Sequence, residues 1–480
     1  MADFTGFVGA AYQAPSITQD AQECINWYPE IDPAKEQGAR GVVALYPTPG
    51  LIAKITGMQV GEVRALSVLP GGLTMLAVSG NGIYSVNSVF AATLIGSLSS
   101  STGQVSITCN RIDAYIVDGA NRYTYTLATG VFAAIASSDG AFTGGDAAFY
   151  IDDFIVYNQP LSNQWAATSP LSSVTPALSF SSKDGGSDNI VTLIADHREV
   201  FLLGEITTEV WVNVGAYPFP FQRIPGTSLQ HGCAAKYSAC RLGESIAWLS
   251  QDGRGQTVVI QLAGYQPKRI STHAVEADIG SGVISDAIAF SYQQEGHEFY
   301  VLTLPTQDKT WVYDLSTELW HKRAYRDSTN GLHRHRANCA TVFQGLNLVG
   351  DYANGIVYAL DLNTYTDNGQ PILRMRRTPH LTSELNRLFY NFMQTQFQPG
   401  VGLQTGQGKN PQCMLRWSDD GGSTWSNTYT LAIGAAGQYK NRAIKRQMGQ
   451  ARDRVFEVTI TDPVKAVIVS AELRTKAGAS

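Results

Sequence analysis

The sequence predicts an all-β protein: a β-propeller of about seven four-stranded blades, with an extended N-terminal arm and a C-terminal β-sandwich-like or hairpin-rich unit. Three observations predict it. Helical periodicity is scarce, while alternating β-branched and aromatic stretches bounded by Gly, Asn and Asp recur nearly everywhere. Glycine is abundant, at 46 of 480 residues, as a fold with many tight turns requires. A loose repeat begins near Gly71, Arg111, Asp146, Thr192, Glu244, Ala289 and Asn338, at spacings of 35 to 52 residues by difference of those positions. A four-stranded blade takes about 40–50 residues.

Within several units an apolar strand, a turn and an aromatic-bearing strand follow in that order. The stretch Thr310–Arg323, "TWVYDLSTELWHKR", is the clearest: one strand ends at Tyr313-Asp314 and the next begins at Trp320. Each blade has two faces to bury, and stacking blades around an axis covers both. The expected organisation is an arm over 1–50, a propeller over 51–370 and the added unit over 371–480. The arm reading rests on Pro15, Pro29, Pro33, Pro47 and Pro49 in a stretch with little periodicity.

Composition excludes several classes. Hydrophobic residues make up 44% and charged residues 16%, which describes a globular chain with a lightly charged surface. The formal net charge is −5, so no basic excess marks nucleic acid as the main partner. The apolar runs are too short to span a bilayer, and "MADFTGFVGAAYQAPS" lacks the charged and apolar regions of a secretory signal. Six cysteines (Cys24, Cys109, Cys233, Cys240, Cys339 and Cys413) show no CxxC or zinc-type spacing and read as free thiols in a reducing compartment, although Cys233 and Cys240 could pair across a hairpin.

The sharpest local motif is "SDDGGSTW", Ser418 to Trp425, which fits the S-x-D-x-G-x-x-W Asp-box of sialidases and other propellers. Ser418, Asp420, Gly422, Thr424 and Trp425 are expected to fold a turn. Asp420 would accept backbone N–H groups, Gly422 would tolerate positive φ and Trp425 would fold back on the hairpin. None of these is poised to react. A sialidase site needs a separate cluster of arginines and a Tyr–Glu pair, and one Asp-box does not imply it.

Other candidates reduce to structure. His333 and His335 alternate on a strand and lie near Cys339, which could serve a metal, but spacing places no third ligand and an exposed basic loop is the expectation. "GQGKN", Gly406 to Asn410, lacks the phosphate-loop spacing. "RMRR", Arg374 to Arg377, reads as a solvated charge run, and Asp152-Asp153 as a turn. No Ser-His-Asp or Cys-His arrangement follows from spacing, so no enzyme, cofactor or metal is predicted.

Taken together, "FVGAAYQAPSITQDAQECINWYPEID" (7–32), "TPGL" (48–51), "GEITTEVW" (204–211), "FPFQRIPG" (219–226), "HGCAA" (231–235) and "RISTHAVE" (269–276) form a recognisable series. "GHEFYVLTLPTQDKTWVYD" (296–314), "VGDYANGIVYALD" (349–361), "LRWSDDGGSTW" (415–425) and "MGQARDRVFEVTITDP" (448–463) continue it. The chain resembles, nearly end to end, the packaged-DNA stabilisation proteins of short-tailed bacteriophages, also called tail accessory or tail hub proteins. Residues 57–145 carry few of the landmarks.

The resemblance implies a structural virion protein in the tail, made and assembled in the host cytoplasm and present in six copies around the tail axis. Its implied partners are the adaptor ring below the portal, the tail needle and the tailspike or fibre, with nucleic acid met at most indirectly through the channel, and no membrane. It implies no catalysis. Low charge and aromatic-rich β surfaces suit permanent protein interfaces. The alternatives are a glycan-binding or glycan-cleaving propeller acting on the host surface, which needs a cleft of convergent carboxylates and aromatics, and a nucleic-acid clamp, which the acidic balance opposes.

Overall fold

The computed structural model describes residues 2–4, 6–35, 42–251, 254–384 and 386–478. Strands dominate, and the helix His273–Ile279 is capped at its N-terminus by Thr272. Among the described residues six antiparallel four-stranded units follow one another, at 63–97, 106–134, 148–182, 190–223, 240–269 and 288–322. A seventh joins three strands from 337–361 to the strand Gly50–Ile55. Each of the seven repeat starts seen in the sequence marks a different unit, including two in the stretch poor in family landmarks.

The ring is closed by the early strand. Gly50–Ile55 runs antiparallel to Val357–Asp361, with Leu51 opposite Leu360 and Gly50 opposite Asp361. The first and last parts of the propeller therefore share one blade, and separating them would expose two unpaired strand edges.

Each neighbouring pair of blades buries a shared core. Leu76 and Ile83 of the first pack with Ile116 and Tyr123 of the second. Tyr115 meets Tyr157 between the second and third, and Trp165 meets Trp211 between the third and fourth. Phe201 and Trp248, Leu249 and Leu302, Val301 and Tyr358, and Phe343 and Met75 continue the series around to the first blade. Strands covered on both faces carry no polar alternation: all five residues of Asp113–Val117 are buried.

The second body is a sandwich of two sheets built from both ends of the chain. One sheet orders Trp27–Ile31, Val43–Pro47, Ile468–Ala477, Leu388–Phe397 and Ala443–Arg446. The other places Ala21–Ile25, Arg374–Arg377, Asp453–Ile460, Gln412–Ser418 and Tyr429–Ala432 side by side. Phe7, Trp27, Tyr390, Met393, Leu415, Phe456 and Ile468 fill the space between them. The described part of residues 1–50, expected as an extended arm, is thus woven into the sandwich. Prolines disguised these strands: Pro29 sits in the edge strand of its sheet and Pro47 ends its strand, the two places where a missing N–H costs least.

"RMRR" also departs from expectation. Arg374 and Arg376 are fully buried, because the strand that carries them lies inside its sheet, flanked by Ala21–Ile25 and Asp453–Ile460.

Candidate functional site

Two places gather polar groups in a way that could serve function: the Asp-box hairpin of the sandwich and the axis of the propeller. In the hairpin the strand Gln412–Ser418 delivers the buried Ser418 to the start of the turn. Ser418 Oγ donates to Asp420 Oδ1 at 2.6 Å and accepts from Gly422 N at 2.7 Å. The Asp420 carboxylate accepts from Thr424 N at 2.8 Å and from Thr424 Oγ1 at 2.6 Å. These donors hold the Asp420 carboxyl at about 2, below the ordinary carboxylate value.

Gly421 and Gly422 take φ of +72° and +104°, which an L side chain would resist. Trp425 lies under two guanidinium groups, 4.5 Å from Arg416 and 5.0 Å from Arg377, and both arginines bind Glu457. The neighbouring Asp419, outside the motif, forms a two-pronged pair with the buried Arg454 at 2.5 and 2.8 Å. Sequence reasoning missed that pair, since nothing in the spacing of residues 35 apart announces it.

The axis is lined by the first strand of six blades and by the residue just before the fifth. Leu66, Ile107, Phe149, Leu193, Ala239, Ile288 and Ala340 surround a cavity of about 320 Å³. The segment between the fourth and fifth blades reaches across it. Lys236 Nζ binds Asp146 Oδ1 at 2.9 Å, Tyr237 OH donates to Gln104 O at 3.3 Å, and the Tyr237 carbonyl accepts from Ala289 N at 2.8 Å. Arg64 is consumed by the carbonyls of Gly80, Ser100, Thr102 and Gly103. At one mouth Asn338 donates to Glu62 at 2.7 Å, and Arg334 stacks 4.1 Å from the Tyr352 ring. These contacts tie blades together, and they present no nucleophile beside a base.

The other candidates are placed as follows. His333 is held between Asp308 at 2.7 Å and Asp327 at 3.3 Å, which raise its pKa. His335 is buried, and desolvation lowers its pKa to about 3. Burial pushes the Cys339 thiol up to about 12. Among the described residues no group of three or more His, Cys, Asp or Glu side chains is placed to hold a metal ion. All six cysteines are free, and burial raises Cys233 to about 11. Gly406 and Gly408 adopt positive φ in the "GQGKN" turn. Asp152 and Asp153 also turn with positive φ, and Asp152 pairs with Arg198 at 2.9 Å.

The sequence model described as "Bacteriophage P22 Gp10, beta-propeller" matches residues 26–365, and the one described as "Bacteriophage P22 Gp10, beta-sandwich" matches 374–476. The chain belongs to the bacteriophage P22 Gp10 family. Members of this family are phage structural proteins with a role in DNA stabilisation. The second match lies in the sandwich, while the first takes in the propeller together with the sandwich strands Trp27–Ile31 and Val43–Pro47. No curated protein matches in sequence.

Among solved structures, the extracellular domain of BT4673 from B. thetaiotaomicron is similar at 11% identity, over 79% of this chain and 47% of that one, with a TM-score of 0.44. The N-terminal domain of Nup159 is similar at 8% identity, over 70% of this chain and 98% of that one, with a TM-score of 0.42. The P22 Gp10-like chain spans less than half the length of the BT4673 domain.

Proposed function

We propose that this protein is the tail hub of a short-tailed phage. In this reading six copies bind below the portal and adaptor ring, help to retain packaged DNA, and seat the tail needle and the spikes or fibres. The observation that carries it is the family match over both bodies in order, from residue 26 to residue 476.

The packing supports the same reading. A ring of blades whose core is continuous with the sandwich is a stiff part, suited to a permanent assembly. In this reading the Asp-box acts as a folding turn, its side chains spent on the hairpin or on a neighbouring arginine, and the protein's role needs no catalysis of its own. Assembly takes place in the host cytoplasm and the mature location is the virion tail.

The test is sedimentation of the purified chain with DNA-filled capsids that carry portal and adaptor but lack this protein. Binding of a fixed number of copies, six in this reading, with DNA retained, is the expected result. Failure to bind, with saturable binding to host surface polysaccharide instead, would overturn it and favour a glycan-reading propeller.

A further inference from the structure

Buried polar atoms without partners collect at the joint between propeller and sandwich. Nε and Nη2 of Arg323, Nε and Nη2 of Arg374, both ring nitrogens of His321 and Oδ1 of Asp367 find no hydrogen-bond partner among the described residues. All four side chains are at most 3% exposed. His321 belongs to the last strand of the sixth blade, Leu319–Lys322, and Arg323 follows it directly. Asp367 pairs alongside Leu51 of the closing strand, and Arg374 opens the sandwich strand Arg374–Arg377.

Asn26 brings these segments together. Its Nδ2 donates to the carbonyl of Ala324 at 2.8 Å and to that of Leu373 at 2.7 Å, fixing the neighbours of both arginines to one side chain. The guanidinium of Arg323 lies 5.3 and 5.1 Å from the Tyr292 and Phe299 rings, and that of Arg374 lies 5.3 Å from Tyr365. Ring contacts of this kind occupy guanidinium faces and leave in-plane donors open.

The charges do not balance. Arg336 nearby has Asp351 at 2.5 Å, but neither Arg323 nor Arg374 has a carboxylate within 4.0 Å among the described residues. The Asp367 carboxyl is raised to about 7 by burial, even with the three arginines acting against that rise. Burial, with Arg323 and His297 beside it, holds His321 neutral. Interiors rarely leave charge-assisted donors without an acceptor, and an uncompensated buried guanidinium is more costly still. Water would satisfy the donors and leave the charge, whereas an anion does both.

We propose that this joint binds a small inorganic anion, of halide or compact oxyanion size, at the unpartnered donors of Arg323 and Arg374. The bound anion ties the sixth blade to the first strand of the C-terminal sandwich segment and fixes the angle between the two bodies.

The test is thermal unfolding of the full chain at constant ionic strength, with chloride, bromide or phosphate replacing gluconate, a much bulkier anion. A saturable rise of about 1–3 °C is expected. Whether the halides or phosphate produce it identifies the class of anion. Arg374→Met and Arg323→Met should abolish the dependence. Should either variant fail to fold, wild-type crystals soaked in bromide should show an anomalous peak within hydrogen-bonding reach of the Arg323 or Arg374 guanidinium. Equal melting in all salts together with no such peak would overturn the proposal and leave the joint hydrated by water alone.

Discussion

Nε of Arg376 donates to the carbonyl of Phe7 at 2.6 Å, across 369 positions of sequence. The same guanidinium reaches the carbonyls of Gly6, Ala10 and Glu23 and the Gln22 side chain. Four of these five acceptors are backbone oxygens, so a single buried cation stands in for the sheet hydrogen bonds that an irregular segment lacks. Arg376→Met keeps the volume and removes every donor. It should cost about 3–5 kcal/mol and expose the first 25 residues to protease before the rest of the chain, measured by urea unfolding and limited proteolysis.

Ring closure depends on close backbone approach at Gly50. A Cβ placed there would lie 2.6 Å from the Thr366 carbonyl oxygen. Gly50→Ala should therefore force the closing strand and the Thr364–Thr366 backbone apart, disturbing the start of the strand that closes the ring, and destabilise the chain by about 1–3 kcal/mol. Faster hydrogen exchange of the last blade, with the third and fourth blades unchanged, is the expected pattern. A uniform change would show that closure is not the weak point.

His297 stands between Asp314 Oδ2 at 2.7 Å and Glu30 Oε2 at 2.5 Å, joining the sixth blade to an N-terminal strand of the sandwich. The bond to Asp314 chiefly, with Glu30 adding to it, raises its pKa to about 9 despite burial. Folding thus favours the imidazolium. The stability it contributes is complete below the unfolded value of about 6.5 and is lost as pH rises through about 9. Urea midpoints should fall between pH 7 and pH 10 in the wild type, and His297→Gln should lack that component of the fall.

Asp420→Ala removes the acceptor for Thr424 N and Thr424 Oγ1. The effect should stay local, with exchange at the Thr424 amide rising roughly tenfold and the propeller unaffected. Binding to tail-deficient capsids should persist. Loss of binding without loss of fold would show that the hairpin is itself a docking element.

What could be read from the sequence follows the range of the contacts. Each of the first six blades is a meander of consecutive strands, so its pattern repeats locally, and "TWVYDLSTELWHKR" announced the strands Lys309–Asp314 and Leu319–Lys322. The hydrogen bonds of the Asp-box hairpin close within a few residues, between neighbours in the chain. "RMRR" misled because charge alone does not reveal whether a strand lies inside a sheet, and Asp419 with Arg454 is a pair that only folding creates.

The sequence by itself determined an all-β chain, about seven repeated units and a distinct C-terminal texture, since these depend on period, turn residues and neighbours in the chain. Tertiary structure decided that Gly50–Ile55 closes the ring, that both chain ends build the sandwich, and that Asn26, Arg323 and Arg374 meet at the joint. Those pairings span about 300 residues or more. Partner choice at that distance is set by which edges and buried charges remain after the local sheets have formed, and no local pattern records it.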